Sequence, residues 1–458
     1  MKRVIYYFSG LLILVNISCN KLIDVNLPKD SLTSDIVFKD KDAALSALNG
    51  LYIQYMSAGL SFTNCLVPIT AGLMSDELIL GSTNLTANEF FYNTVSIENA
   101  NLSSLWTQPY ARIYQCNALV EGANKSMQLD KGIRDRLKGE ALFNRAFLYM
   151  NFIQLFGDVP LILSTDYKNT MSEPRTAKEK VYEQIENDLS TAYDLLTADQ
   201  SLDKTRITKF TVLALQARVA LYLQKWNKAE EFSSKVINEG GYMLSKDLAN
   251  AFGAQSSEAI WQISPTDGIA YVWDGFYFIP KTTAAPSYPI SNSLFESFSA
   301  NDKRLQTWIG KKIVKDKTYG YAQKYRIGSG AGKATEYQMM LRFAEQYLIR
   351  AEALSNMSRQ QEALQDLDKL RDRAGLPLLS GRTDLNAEQV KQLIAEERRH
   401  ELFCEWGHRW FDLKRTNRVE QELKQTKPNF QAYSSLLPIP SAQLRTNPHL
   451  EQNPGYSN

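Results

Sequence analysis

Residues 398–410, RRHELFCEWGHRW, hold the densest set of side chains able to do chemistry. His400, Cys404 and His408 stand at i, i+4 and i+8, with Glu401 after the first histidine. On one unbroken helix they would share a stripe, with a carboxylate beside it. Such a stripe is a candidate for zinc, which asks for three or four N, S or O ligands with cysteine as thiolate. Two features weigh against that reading. Gly407 lies inside the run and weakens a helix that must reach 408. The remaining histidine of the three, His449, sits in a Pro-rich tail, and one helix seldom completes a metal shell. No metal and no cofactor is expected. The charges of the same stretch have a plainer use. Glu397, Arg398, Arg399, Glu401, Glu405, Arg409, Asp412 and Arg415 alternate in sign at three- and four-residue spacings, as arginine forks clamping carboxylates do. With Leu402, Phe403, Trp406, Trp410 and Phe411 among them, the stretch reads as a partly buried ionic brace.

Other chemistries find less support. Glycoside hydrolysis needs two carboxylates about 5–10 Å apart across a cleft, and no recognisable hydrolase motif surrounds Asp76, Glu77, Glu258, Asp274 or Asp302. No G-x-S-x-G elbow, P-loop or dinucleotide fingerprint is present. The chain is therefore expected not to be an enzyme. Carbohydrate capture asks for less: an aromatic face for the C–H side of a sugar ring and polar groups for its hydroxyl rim. Residues 75–93 and 271–325 offer that mixture, and six residues are singled out as ligand-binding: Trp273 first, then Tyr277, Asp76, Tyr92, Tyr321 and Trp308. Trp106, Trp226, Trp261, Trp406 and Trp410 lie in or beside apolar-periodic segments and are assigned to the core.

The elements that must position these residues are mostly helical. A chain of 458 residues, 44% hydrophobic and 22% charged, is an ordinary globular composition with enough apolar residues for a sizeable core. Lys plus Arg is 52 against 50 for Asp plus Glu, so a nucleic-acid partner has little electrostatic support. Residues 1–18 carry Lys2 and Arg3 and then an apolar run to Val15, the order of a secretory signal. Ser18 before Cys19 resembles a bacterial lipoprotein processing site, with Cys19 as the lipidated residue, although Asn16 replaces the usual aliphatic residue. Without Cys19 three cysteines remain, an odd number that argues against a disulfide framework. Residues 135–162, 177–198, 209–241 and 341–375 repeat apolar positions every three to four residues. In the last two segments Ala217 and Ala229, and Ala351 and Ala363, are twelve apart, the spacing of touching small residues in a tetratricopeptide helix pair. Residues 61–105 and 252–335, rich in Gly, Pro, Ser and aromatics, read as loops and short strands inserted into that scaffold. The fold expected is mainly α: a single domain over 19–458, built on tetratricopeptide-like pairs with irregular insertions carrying the ligand site.

Several segments also resemble the SusD/RagB family of Bacteroidetes outer-membrane nutrient-binding lipoproteins. Residues 394–415, IAEERRHELFCEWGHRWFDLKR, are close to the family's E-R-R-x-E-L-x-x-E-x-G-x-R-W-x-D-L-K-R. The Pro-rich close LLPIPSAQLRTNPHLEQNPGY, the helices LRFAEQYLIRAEAL and EALFNRAFLYMNFIQLFGDVPLI, and Ser75-Asp76-Glu77 fit as well. The resemblance implies a lipid-anchored protein on the outer face of the outer membrane. Its role there is to catch an oligosaccharide, or a peptide in RagB-like members, and deliver it to a SusC-like TonB-dependent transporter. It also places Asp76 near the ligand site. A helical-repeat envelope scaffold is the remaining alternative.

Overall fold

A computed structural model describes residues 34–457 apart from 57–58, 198–202, 282 and 425. The signal segment and Cys19 lie outside the described residues.

Helix Lys131–Phe156 runs through the middle of the first half, flanked by Ala100–Lys125 and Lys178–Leu195. Asp130 starts it by accepting from the Ile133 amide at 2.8 Å. Because neighbours cover it on several sides, nearly every residue from Leu137 onward is buried. Trp106, Phe152 and Phe156 meet edge to face there, with centroids 5.0–5.2 Å apart.

The twelve-residue alanine spacings mark two helix pairs. Lys209–Tyr222 turns through Gln224 (φ 55°) into Trp226–Glu239, and Phe343–Asn356 turns through Ser358 (φ 62°) into Gln360–Ala374. Ala217, Ala229, Ala351 and Ala363 are completely buried, as residues must be where two backbones approach closely. Trp226–Glu239 packs on Phe343–Asn356, so the pairs stack although about a hundred residues separate them. Arg218 ties the stack by forking onto Glu345 at 2.7 and 2.6 Å, both side chains buried. Ala387–Leu402 covers the second pair and encloses a small core of its own around Leu348, Leu367 and Ile394.

The two insertions depart from their sequence reading in different degrees. Residues 252–335 do hold short strands. β1 (Ala259–Ile263) pairs antiparallel with β4 (Gln338–Arg342), every residue of both buried. β2 (Ile309–Val314) and β3 (Lys317–Ala322) form a hairpin whose turn, Lys315–Asp316, has positive φ at both residues, as a tight two-residue turn requires. Residues 61–105 are corrected from loop to helix. Leu66–Met74 is a helix buried at every position, and Leu85–Phe91 is a second one capped by Asn84. A helix that is apolar all round carries no amphipathic period, so LVPITAGLM does not read as helical.

The insertions meet in space. Leu78 bridges Ile290, the Ile79 amide donates to Pro289 O at 2.8 Å and the Ser291 amide to Glu77 O at 2.7 Å. The hairpin joins them through the Ile290 amide to Gly320 O at 2.9 Å.

Candidate binding surface and the brace behind it

The His/Cys/His stripe does not exist in three dimensions. The helix ends at Leu402, and Cys404, Trp406 and Gly407 take left-handed φ of 55°, 45° and 71° before His408–Arg415 begins. A Cβ at 407 would lie 2.8 Å from the Ala71 methyl, so glycine is required by space as well as by φ. His400 lies against Phe298, centroids 4.4 Å apart, with Nε2 2.9 Å from Ser297 Oγ; burial pushes its pKa down to about 3. His408 is buried, and burial followed by Arg218 and Arg398 drives it well below its ordinary value. Among the described residues no group of His, Cys, Asp and Glu is placed to hold a metal ion.

What the stretch builds is a set of ion cages. Glu401 is completely buried. Its Oε1 accepts from Arg342 Nη1 at 2.6 Å and Arg373 Nη2 at 2.5 Å, and its Oε2 from Arg304 Nη1 at 2.9 Å. Burial alone would raise this carboxyl, but Arg373, Arg342 and Arg304 together hold it well below the usual carboxylate range. Arg304 also clamps Asp302 and Glu397, Arg342 reaches Glu405, and Arg373 reaches Glu258. The Lys324 ammonium donates to Glu401 O at 2.8 Å and pairs with Glu405. A second cage joins Arg398 and Arg415 to Asp412, and Arg415 to Glu352. Segments from Glu258 to Arg415 are thus bolted to one helix end.

Two of the six singled-out residues belong to this interior. Asp76 is 6% exposed, gripped by Arg409 at 2.7 and 2.9 Å and by Arg399 at 2.8 Å, so its carboxylate holds the insertion to the brace instead of facing a ligand. Trp308 is 1% exposed; its N–H donates to Leu248 O at 2.9 Å, and Lys324, Arg373 and Arg342 sit 5.0, 5.6 and 5.9 Å from its ring. It is a cation–π wall of the brace, with no face for a sugar.

The other four lie on or just under the surface. Trp273 opens the short helix Trp273–Phe278, is 8% exposed, and donates from Nε1 to Met56 O at 3.2 Å. It supports a half-exposed aromatic face above it. Tyr271 stacks on Phe276 (centroids 5.1 Å, planes 25° apart), and Trp273 meets both rings edge-on at 5.6 and 5.2 Å. Tyr277 adds a third half-exposed ring, 6.0 Å from Trp273, with its hydroxyl hydrogen-bonded to the Leu60 backbone. The Lys281 ammonium sits over the Phe276 ring. Asp274 lies beneath, buried, with Oδ2 lacking a partner among the described residues; burial pushes it up to about 7. Tyr321 is half-buried on the hairpin, its ring laid across Gly310. Tyr92, 48% exposed, packs edge-on against Phe91, whose other neighbour is the Lys427 ammonium 3.6 Å from its centroid. Among the described residues no ring contact joins Tyr92 or Tyr321 to Tyr277. The structure therefore brings together Trp273 and Tyr277 and leaves the other four apart.

Tyr271 and Phe276 carry the stacked pair but are not among the six residues singled out from the sequence. The signal was present: in WDGFYF, Trp273, Phe276 and Tyr277 are three and four apart, one face of a helix, while Asp274 and Gly275 point away. Reading the segment as irregular hid that face.

Stacked helix pairs, a buried ionic brace and a half-exposed aromatic surface on the insertion 252–335 define a tetratricopeptide-like scaffold with loop-borne insertions. The profile of the SusD family matches residues 238–456, and that described as "Starch-binding associating with outer membrane" matches residues 68–221. SusD-like protein P2 of Formosa agariphila is 27% identical over 507 residues, spanning 97% of this chain and 98% of the relative. SusD-like protein P38 of the same organism is 23% identical, spanning 80% of this chain and 82% of its own. A SusD superfamily protein from Bacteroides vulgatus superposes with a TM-score of 0.82 at 20% identity, covering 92% of this chain and all of the other. A laminarin-binding SusD-like protein superposes with a TM-score of 0.76 at 24% identity, covering 91% and 100%. The chain belongs to the SusD/RagB family, which is associated with starch binding and the outer membrane. Among the described residues no helix is long and apolar enough to cross a membrane.

Proposed function

We propose that the protein is a non-catalytic receptor that captures an oligosaccharide on the Tyr271–Phe276–Tyr277 face and delivers it to a TonB-dependent transporter. A lipid on Cys19 holds it at the outer membrane, facing the cell exterior. One observation carries the reading: three half-exposed rings, two of them stacked, are propped by a buried tryptophan within the insertion 252–335. Rings fixed in advance stack on the C–H face of a sugar at little entropic cost, while the Tyr271 hydroxyl and Lys281 reach its hydroxyl rim. Water competes for every hydroxyl, so affinity falls on the order of micromolar to millimolar. The laminarin-binding relative makes β-glucan a first ligand to try.

Calorimetry with laminarin, amylose and a mixed glycan pool tests this. Tyr271→Ala and Phe276→Ala should each weaken binding by about five- to tenfold, the loss of about 1 kcal/mol of stacking, with the thermal midpoint little changed. Unaltered affinity in both variants removes the face from the site. A response to a peptide pool and to no glycan moves the protein to the peptide-binding alternative. Glycan incubated with the protein should remain full length.

A further inference from the structure

Beside the brace an open cleft of about 530 Å³ lies between Trp226, the end of helix Phe343–Asn356, and helices Ala387–Leu402 and His408–Arg415. That volume is within the ordinary range for small-molecule sites. No residue of the aromatic face lines it. One wall is a single helix face: Lys391, Ala395, Arg398 and Arg399 recur at four, seven and eight residues, with Gln392 beside them.

Unspent hydrogen-bonding capacity sets the ligand chemistry. Lys391 and five arginines line the cleft against five carboxyl groups, and Asp76, buried behind Arg399 and Arg409, balances the sixth cation. Among the lining residues, Arg398 Nη1, Arg399 Nε and Glu77 Oε1 are buried and have no partner among the described residues. Two guanidinium donors ask for oxygen acceptors, and the two oxygens of one carboxylate answer both. The amides Gln224, Gln392 and Gln421 suit hydroxyl groups, since each offers a donor and an acceptor. Half-buried Trp226 supplies a flat apolar wall. A carboxylate, several hydroxyls and a flat C–H face occur together in a uronic acid.

We propose that this cleft is a second ligand site, which takes a uronic-acid saccharide of one or two rings. The site is independent of the glycan-capture reading, because it shares no side chain with the aromatic face. Calorimetry on the full mature chain with D-glucuronate and digalacturonate tests it, with glucose as the neutral control. Glucuronate should bind on the order of tenfold more tightly than glucose, the effect of one charge-assisted contact. Trp226→Ala and Gln392→Ala, both at the open wall, should each weaken glucuronate at least about threefold and leave laminarin or amylose binding unchanged. Phe276→Ala should do the reverse. Absence of heat with either uronate overturns the proposal, as does equal binding of glucose. Loss of the uronate signal in Phe276→Ala with retention in Trp226→Ala overturns it too, since the acid would then be sitting on the aromatic face.

Discussion

The brace around Glu401 and the face around Phe276 use the same two kinds of side chain in opposite ways. In the brace, arginines and carboxylates are sealed from water, with Trp308 as a wall; Arg304 and Glu401 have no exposed surface at all. At the face, aromatic rings are left half in water and the charged Lys281 rides on top. Buried charges survive only because each is answered several times over, and that mutual dependence makes the brace rigid and intolerant of loss. The rings at the face rest on Trp273 and on one another, with Lys281 riding over Phe276, and keep part of their surface in water. The groups that look most reactive in the sequence serve structure, and the aromatic ones of the face are left where water, or a ligand, can reach them.

Removing one brace member breaks the comparison most severely. Glu401→Ala strands Arg304, Arg342 and Arg373 in the interior and should cost about 3–5 kcal/mol in a urea or guanidinium titration. A variant as stable as the parent would mean that the cages are not what holds these segments together. Trp273→Ala attacks the support of the other region. It removes a buried indole and its hydrogen bond to Met56, at a cost of about 3 kcal/mol, and glycan affinity should fall with it because Tyr271 and Phe276 lose their prop. Affinity preserved in a destabilised protein would show that the rings hold themselves.

The two regions should also answer pH in opposite directions. Glu401 titrates well below its ordinary 4.5, so the stability it contributes is present above that value and is lost as pH falls through its folded pKa. Asp274, under the face, is raised by burial from 3.8 to about 7. Its neutral form stabilises the fold below pH 3.8, and that contribution is lost as pH rises toward and through about 7. Asp274→Asn should therefore gain stability relative to the parent between pH 5 and pH 8, read as a shift in denaturation midpoint. A constant difference across that range would place the titration elsewhere. The smallest effect belongs to Tyr92→Ala, at an exposed ring, with a stability change within about 0.5 kcal/mol. Any fall in glycan affinity there would extend the recognition face to the end of helix Leu85–Phe91.

The helix pairs were legible because their apolar residues recur at a fixed period and their alanines at a fixed spacing, and both follow from chain geometry alone. Charge alternation around 397–415 likewise announced a brace. Helix Leu66–Met74 was hidden because complete burial erases periodicity. Asp76 and Trp308 were misplaced for a related reason: a carboxylate or an indole in a polar, aromatic segment looks the same whether an arginine or a ligand will face it.

By itself, then, the sequence determined the amphipathic helices, the repeat and the family resemblance, since each rests on neighbours a few residues apart. Which aromatic rings face water, and which carboxylates are spent on arginines, was decided only by the tertiary structure. Asp76 meets Arg409 across more than three hundred residues, and Trp273 meets Met56 across more than two hundred. Exposure is a property of what packs on a side chain, and those partners come from elsewhere in the chain.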